Sequence, residues 1–175
     1  MRVFLRALEL EDHILMHKWR ADAETNKYLA GNFFYVSSER EKKSVEHKIF
    51  DDSKDIYLGI CETESQKLIG YTNINNIDLR NQKAEWGGTI IGEKGYLGKG
   101  LGKEAAKLML RFLFDQYPIH KCFARCLEEH PVTAKLFSDL GFKQEGILRD
   151  DVFKNGEFKN ILLFSILRSE INGKF

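Results

Sequence analysis

The segment Tyr96-Leu97-Gly98-Lys99-Gly100-Leu101-Gly102-Lys103 holds three glycines within five positions. Such a run serves neither helix nor strand, because glycine costs roughly 0.5–1 kcal/mol inside either element. It offers backbone that can pass close to a ligand, with N–H groups left to point at it. The amphipathic stretch that follows reads as a helix, and its N-terminal end brings partial positive charge to the same spot. A glycine-rich loop entering a helix N-terminus suits phosphates, and Lys99 and Lys103 add positive charge. The chemistry implied is a grip on the pyrophosphate of a nucleotide-bearing cofactor. A glycine turn without a ligand stays open as the alternative. Two other phosphate loops fit poorly. A P-loop needs Lys followed by Ser or Thr, whereas Gly102 is followed by Lys103 and Glu104. The dinucleotide fingerprint G-x-G-x-x-G has a different spacing and opens a first βα unit, whereas this loop lies mid-chain.

A second constellation is His120, Cys122, Cys126 and His130. It is read as no metal site. Lys121–Leu127 has the pattern of a strand, in which four residues span about 13 Å, too far for Cys122 and Cys126 to share a zinc ion at about 2.3 Å each. Buried thiols in a sheet explain the spacing better. Three cysteines and no secretion signal in Met1–Arg6 point to reduced thiols and a cytoplasmic protein.

These residues need a scaffold. A chain of 175 residues suggests one domain, 1–175, with length enough for a core. Its 43% hydrophobic and 30% charged content is ordinary globular composition. A net charge of +1 gives no electrostatic case for nucleic acid. No apolar run approaches the roughly 18 residues of a membrane helix.

Val3–Arg6 reads as a strand, and Glu11 to Ala21 as a helix. Ser38-x-x-Glu41 reads as a capping box that starts a helix running to Phe50. Ile56–Cys61, Leu68–Ile77 and Ala84–Ile91 read as a meander of three strands. Leu101, Ala105, Leu108 and Phe112 mark one face of a helix that ends near Tyr117-Pro118. Lys121–Leu127 is a strand, and Val132–Leu140 a short helix stopped by Gly141. Phe142–Ile147 and Phe153 lead into Asn155-Gly156, a hairpin signal, and Phe158–Leu167 is the last strand. The expected fold class is α/β of α+β type. It is a mixed, mostly antiparallel central sheet flanked by helices, with one parallel crossover at the glycine loop.

With these elements in place the chain resembles the GNAT superfamily of acyl-CoA-dependent N-acetyltransferases, in particular its RimJ/RimL-like branch of ribosomal-protein and spermidine acetyltransferases. Leu5-Arg6-Ala7-Leu8 with Glu11-Asp12 and Trp19-Arg20 looks like the branch's opening strand and helix. Ala84-Glu85-Trp86-Gly87 looks like its central strand. Gly98 to Ala105 matches the cofactor loop. Thr133-Ala134-Lys135-Leu136-Phe137 through Leu140-Gly141-Phe142 and Glu145-Gly146 matches the second cofactor motif. The chain departs from the pattern at Leu97, where Arg or Gln is usual, at His130, usually Asn, and at Phe137, often the Tyr assigned as the acid for the leaving thiolate.

The resemblance implies acetyl transfer from acetyl-CoA to a primary amine by direct attack in a ternary complex, without metal. An acyl-CoA-binding regulator without turnover is the alternative. Leu97, Gly98, Lys99, Gly100, Leu101, Gly102 and Lys103 would hold the cofactor, with His130, Thr133 and Phe137 along the pantetheine arm. A backbone N–H near Ile90 or Ile91 would meet the oxyanion. Glu85 is the candidate base, with acceptor orientation as its other reading, because an alkylammonium of pKa about 10.4 must lose a proton before it attacks. Thr133 or Tyr96 is the candidate proton donor to the thiolate through water, and Thr133 is otherwise a first-turn hydroxyl of its helix. Trp19, Tyr28, Phe33 and Glu85 are assigned to the acceptor, and Phe34 and Tyr35 lie beside them. The acceptor, whether protein N-terminus, polyamine or amino sugar, stays open, as does a homodimer; neither nucleic acid nor membrane is expected as a partner.

Overall fold

A computed structural model describes residues 1–27, 29, 31, 34–50, 54–171, 173 and 175. Among them one sheet of seven strands runs in the order β1-β2-β3-β4-β5-β7-β6. The strands are β1 (Val3–Ala7), β2 (Ile56–Glu62), β3 (Leu68–Asp78), β4 (Lys83–Ile91), β5 (Lys121–Leu127), β6 (Lys143–Lys154) and β7 (Glu157–Leu167). All neighbours are antiparallel except β4 and β5. The helices are α1 (His13–Ala21), α2 (Ala23–Asn26), α3 (Ser38–Phe50), α4 (Leu101–Gln116) and α5 (Pro131–Asp139). The mixed sheet with its single parallel crossover through α4 is as the sequence indicates.

The one parallel pair is short. Lys83, Ala84 and Glu85 face Lys121, Cys122 and Phe123, and there the pairing stops. β4 departs because Gly87 is an extra residue: Asn73 pairs with Gly88 but Ile74 pairs with Trp86. A bulge of this kind bends and twists its strand. Gly88 holds a φ of +103°, and a Cβ on Gly87 would overlap the Asn73 amide, so glycines make the departure possible. Beyond it β4 and β5 splay apart and leave a V-shaped cleft.

The main core lies against α4. Leu101, Ala105, Ala106, Met109, Leu110, Leu113 and Phe114 are its buried face. Leu108 and Phe112, which the spacing of apolar residues points inward, are half-buried at the edge of this face. α3 begins at Ser38 as expected, but the Oγ that accepts a first-turn N–H is that of Ser37, from Arg40 at 3.2 Å. Glu41 is thereby released from the capping role and is buried. β6 is continuous where the sequence suggests a break, and its register shifts at 148–152 absorb the irregularity. Asn155 and Gly156, at φ 53° and 85°, make the hairpin turn that this pair favours. Cys61, Cys122 and Cys126 are free and buried. Burial pushes the Cys126 thiol up to about 11 and the Cys122 thiol higher still, so both stay protonated.

Candidate active site

The cleft between the splayed ends of β4 and β5 has a volume of about 540 Å³. Its floor is Trp86 and Phe137, with Thr89, Ile90 and Ile91 along one wall and Arg125 and Cys126 along the other. His130, Thr133 and Leu136 line it from α5, and Asp22, Thr25, Leu29 and Lys94 from the side of α2. Leu97 and Val132, both largely exposed, are apolar lips at its mouth.

The backbone of β4 has a definite phase. Gly92 N–H donates to Ile69 O at 2.9 Å, and the register pairs Ile90 with Tyr71. Antiparallel ladders alternate, so Ile90 turns its N–H and C=O to β3 while Thr89 and Ile91 turn theirs toward the cleft. Of the two residues named for the oxyanion, Ile91 therefore has the suitable N–H, and Thr89 is a second.

Next to the cleft the glycine loop enters α4. Gly98 and Gly100 lie at φ 73° and 77°, where only glycine is unstrained, and Gly100 is the residue before the first helical turn. No side chain caps this helix. Among the described residues the N–H groups of Gly98, Lys99, Gly100, Leu101 and Gly102 find no acceptor. A Cβ at Gly98 would meet nothing within 4 Å, so the loop faces open space. An anion with several oxygens satisfies such a row of donors, and the diphosphate of acetyl-CoA fits it. Arg2, unnoticed in the sequence, stiffens the loop: its guanidinium donates to Lys99 O at 2.9 Å and pairs with Glu104. Lys99 lies over the Tyr96 ring. Lys103 instead reaches Asp139 at 3.2 Å and so ties α4 to α5.

These features, an N–H-lined loop on a helix and a cleft where two parallel strands part, are those of an acyl-CoA enzyme, and the match to a family model decides it. Residues 2–143 match the model described as acetyltransferase (GNAT) domain. The chain belongs to the GNAT acetyltransferase family. This GNAT enzyme is 28% identical over 173 residues to the uncharacterized N-acetyltransferase p20 of Bacillus licheniformis, covering 98% of this chain and 96% of that one. It is also 28% identical over 168 residues to a spermidine N(1)-acetyltransferase of Escherichia coli, covering 96% and 87%. Its fold matches the crystal structure of spermidine N-acetyltransferase from Vibrio cholerae in complex with CoA and spermine, with a TM-score of 0.88, 24% identity, and 98% and 99% of the two chains covered.

The remaining sequence-assigned residues of the GNAT enzyme divide as follows. Ile90, Ile91, Leu97, His130, Thr133 and Phe137 do converge on the cleft. Thr133 Oγ and His130 Nδ1 share a 2.6 Å hydrogen bond, so this hydroxyl is engaged with the ring. Burial pushes the His130 imidazole below its ordinary value of 6.5 and keeps it neutral. Phe137 is 2% exposed and packs edge-on against Trp86 and Phe164, with Phe142 also in contact.

Of the two readings of Glu85, base and acceptor-orienting carboxylate, its surroundings bear on both. It is buried and does not line the cleft. Its Oε1 accepts from Arg125 Nε at 2.7 Å and its Oε2 from Asn76 Nδ2 at 2.9 Å. Arg125 is the group it presents to the cleft. A cation in the middle of Phe123-Ala124-Arg125-Cys126 is a legible signal, since a charge in an apolar strand needs a partner. Trp19 is largely core: it is 2% exposed, its Nε1 donates to Glu93 at 2.9 Å, and its ring fills the space a side chain on Gly92 would need. Tyr28 and Phe33 lie outside the described residues.

Proposed function

We propose that this GNAT enzyme moves an acetyl group from acetyl-CoA to a primary amine by direct attack within a ternary complex. The observation that carries this reading is the row of unpaired N–H groups from Gly98 to Gly102, set beside a cleft into which β4 presents further backbone donors. The loop takes the diphosphate, and the pantetheine arm runs between β4 and α5 past Leu97, Val132, His130 and Thr133. Ile91 N–H polarises the thioester carbonyl and stabilises the tetrahedral oxyanion, and Thr89 N–H, about 6.6 Å along the strand, is free for another acceptor on the pantetheine arm. The amine carries its lone pair to the carbonyl carbon; the C–S bond then breaks and the thiolate leaves, while the proton lost from the acylated nitrogen passes to water in the cleft and from there to the thiolate or to solvent.

A thiol of pKa about 8.5 is a workable leaving group without a positioned acid. Phe137 in place of a phenol is compatible with turnover, and Thr133 is left to hold His130. Glu85, with both oxygens engaged, acts by holding Arg125 on the acceptor side. The amine reacts as its neutral fraction. The test is acetyl-CoA consumption against a panel of amines, read together with thermal melts. Acetyl-CoA at 100 times its dissociation constant adds about 2.7 kcal/mol of stability. Stabilisation without consumption by any amine would instead favour a cofactor-binding regulator.

A further inference from the structure

Beside the cleft a smaller cavity of about 280 Å³ lies among α1, α3 and β3, and it shares Thr25, Leu29 and Ile90 with the cleft. Its wall includes Trp19, Arg20, Phe34, Glu41 and Tyr71. Glu41 is 0% exposed, and among the described residues neither of its oxygens receives a hydrogen bond. Arg20 Nε stands 3.2 Å from Oε2, close enough to balance the charge but not aligned as a donor. A buried carboxylate has room for about four hydrogen bonds, and leaving them unmade is costly. An occupant of the cavity that carries O–H or N–H groups can supply the missing donors. Burial raises the Tyr71 phenol to about 12, so it remains a neutral hydroxyl.

Charge narrows the choice of occupant. Among the described residues the two linings carry Arg20, Lys94 and Arg125 against Asp22, Glu24 and Glu41, three of each sign. Asp22 is matched by Lys94 at 3.3 Å and Glu41 by Arg20; Glu85, behind the wall, is matched by Arg125. An acceptor with two or more ammonium groups calls for surplus carboxylate, and among the described residues Glu24, exposed at the edge, is the one carboxylate of these walls with no cation within 4 Å. An uncharged body bearing O–H groups instead supplies donors to Glu41 and sets its ring against aromatic walls without upsetting the balance.

We infer that this chamber receives the body of the acceptor, and that the acceptor is a hydroxyl-rich monoamine of amino-sugar type whose O–H groups bond to Glu41. The inference rests on the acetyl-transfer reading above. Steady-state kinetics at saturating acetyl-CoA test it, with 2-amino-2-deoxyglucose, a nucleoside-diphosphate-linked amino sugar and spermidine as probes. At least one amino sugar is expected to exceed spermidine in kcat/KM by about tenfold, the equivalent of one well-made contact. Glu41→Gln and Tyr71→Phe are each expected to raise the KM for that sugar severalfold, leaving kcat and the acetyl-CoA-induced thermal shift in place. The retained shift shows that each variant is folded, and a purely structural Glu41 would leave KM unmoved. Preference for spermidine, or unchanged KM in both variants, overturns the inference while acetyl transfer stands. Failure of every probe and every other amine overturns the acetyl-transfer reading itself.

Discussion

Glu85 and Arg125 meet where β4 and β5 make their last pairing before parting. A carboxylate whose two oxygens are occupied by a guanidinium and an amide has little capacity left to take a proton from an amine. Glu85→Gln is therefore expected to raise the acceptor KM by about tenfold or less, with a pH–rate profile parallel to that of the native enzyme. A variant with rate losses of 10²–10⁴-fold concentrated at low pH would identify Glu85 as the base instead. His130 makes a second prediction. Its folded-state pKa is depressed by burial, so the unfolded chain binds the extra proton first as pH falls. Its contribution to stability is complete above 6.5 and is lost as pH drops below that value toward the folded pKa. Denaturant midpoints measured across this window should slope less in His130→Gln than in the native protein. At this scale the positions of His130, Thr133 and Phe137 on the cleft were legible because short motifs contain them. Arg125 was not linked to Glu85, since 40 residues separate them and strand pairing alone brings them together.

At the scale of elements, the loop and helix α4 act together, and their glycines differ in kind. Gly100 needs its positive φ, whereas Gly102 is helical and a Cβ there would touch Ile91 and Thr89 at an ordinary 3.8 Å. Gly102→Ala should raise the stability of the cofactor-free protein by about 1 kcal/mol, as glycine-to-alanine changes inside helices do. Gly100→Val should abolish the acetyl-CoA-induced shift in a thermal melt; an unchanged shift would remove the loop from the cofactor site. A third element-level feature is Lys154, which is 3% exposed on β6. Its Nζ donates to the carbonyls of Asn26, Leu29 and Gly31 at 3.2, 2.7 and 2.9 Å. It thereby ties Asn26, Leu29 and Gly31, which border the smaller cavity, to the edge strand β6. Lys154→Met should raise the acceptor KM while the acetyl-CoA shift persists; equal loss of both would show general unfolding.

The strands and helices themselves were readable from apolar periodicity and turn residues. The α3 cap moved by one residue because Ser37 and Ser38 are chemically equivalent candidates. The Lys154 clasp was hidden, since a lysine in a hairpin strand looks like any solvated charge.

For the whole molecule, the decisive property is that β4 and β5 pair over three residues and then diverge, so that one sheet contains both a stable core and an open cleft. Mixed topology followed from the meander and the crossover helix, but the point of divergence depends on a bulge that Gly87-Gly88 only hints at. Cys61 and Cys122 are buried away from the cleft, and Cys126, which lines its wall, is 4% exposed with its thiol held protonated by burial, which makes it a poor nucleophile for a covalent way station. Direct transfer in a ternary complex is thus best tested by intact-mass measurement of the protein and an accepted amine, after mixing with acetyl-CoA in the presence and absence of that amine. The expected result is an acetyl group on the amine alone and an unmodified protein in both mixtures. Stoichiometric acetylation of the protein when the amine is absent, followed by its transfer when the amine is added, would contradict it.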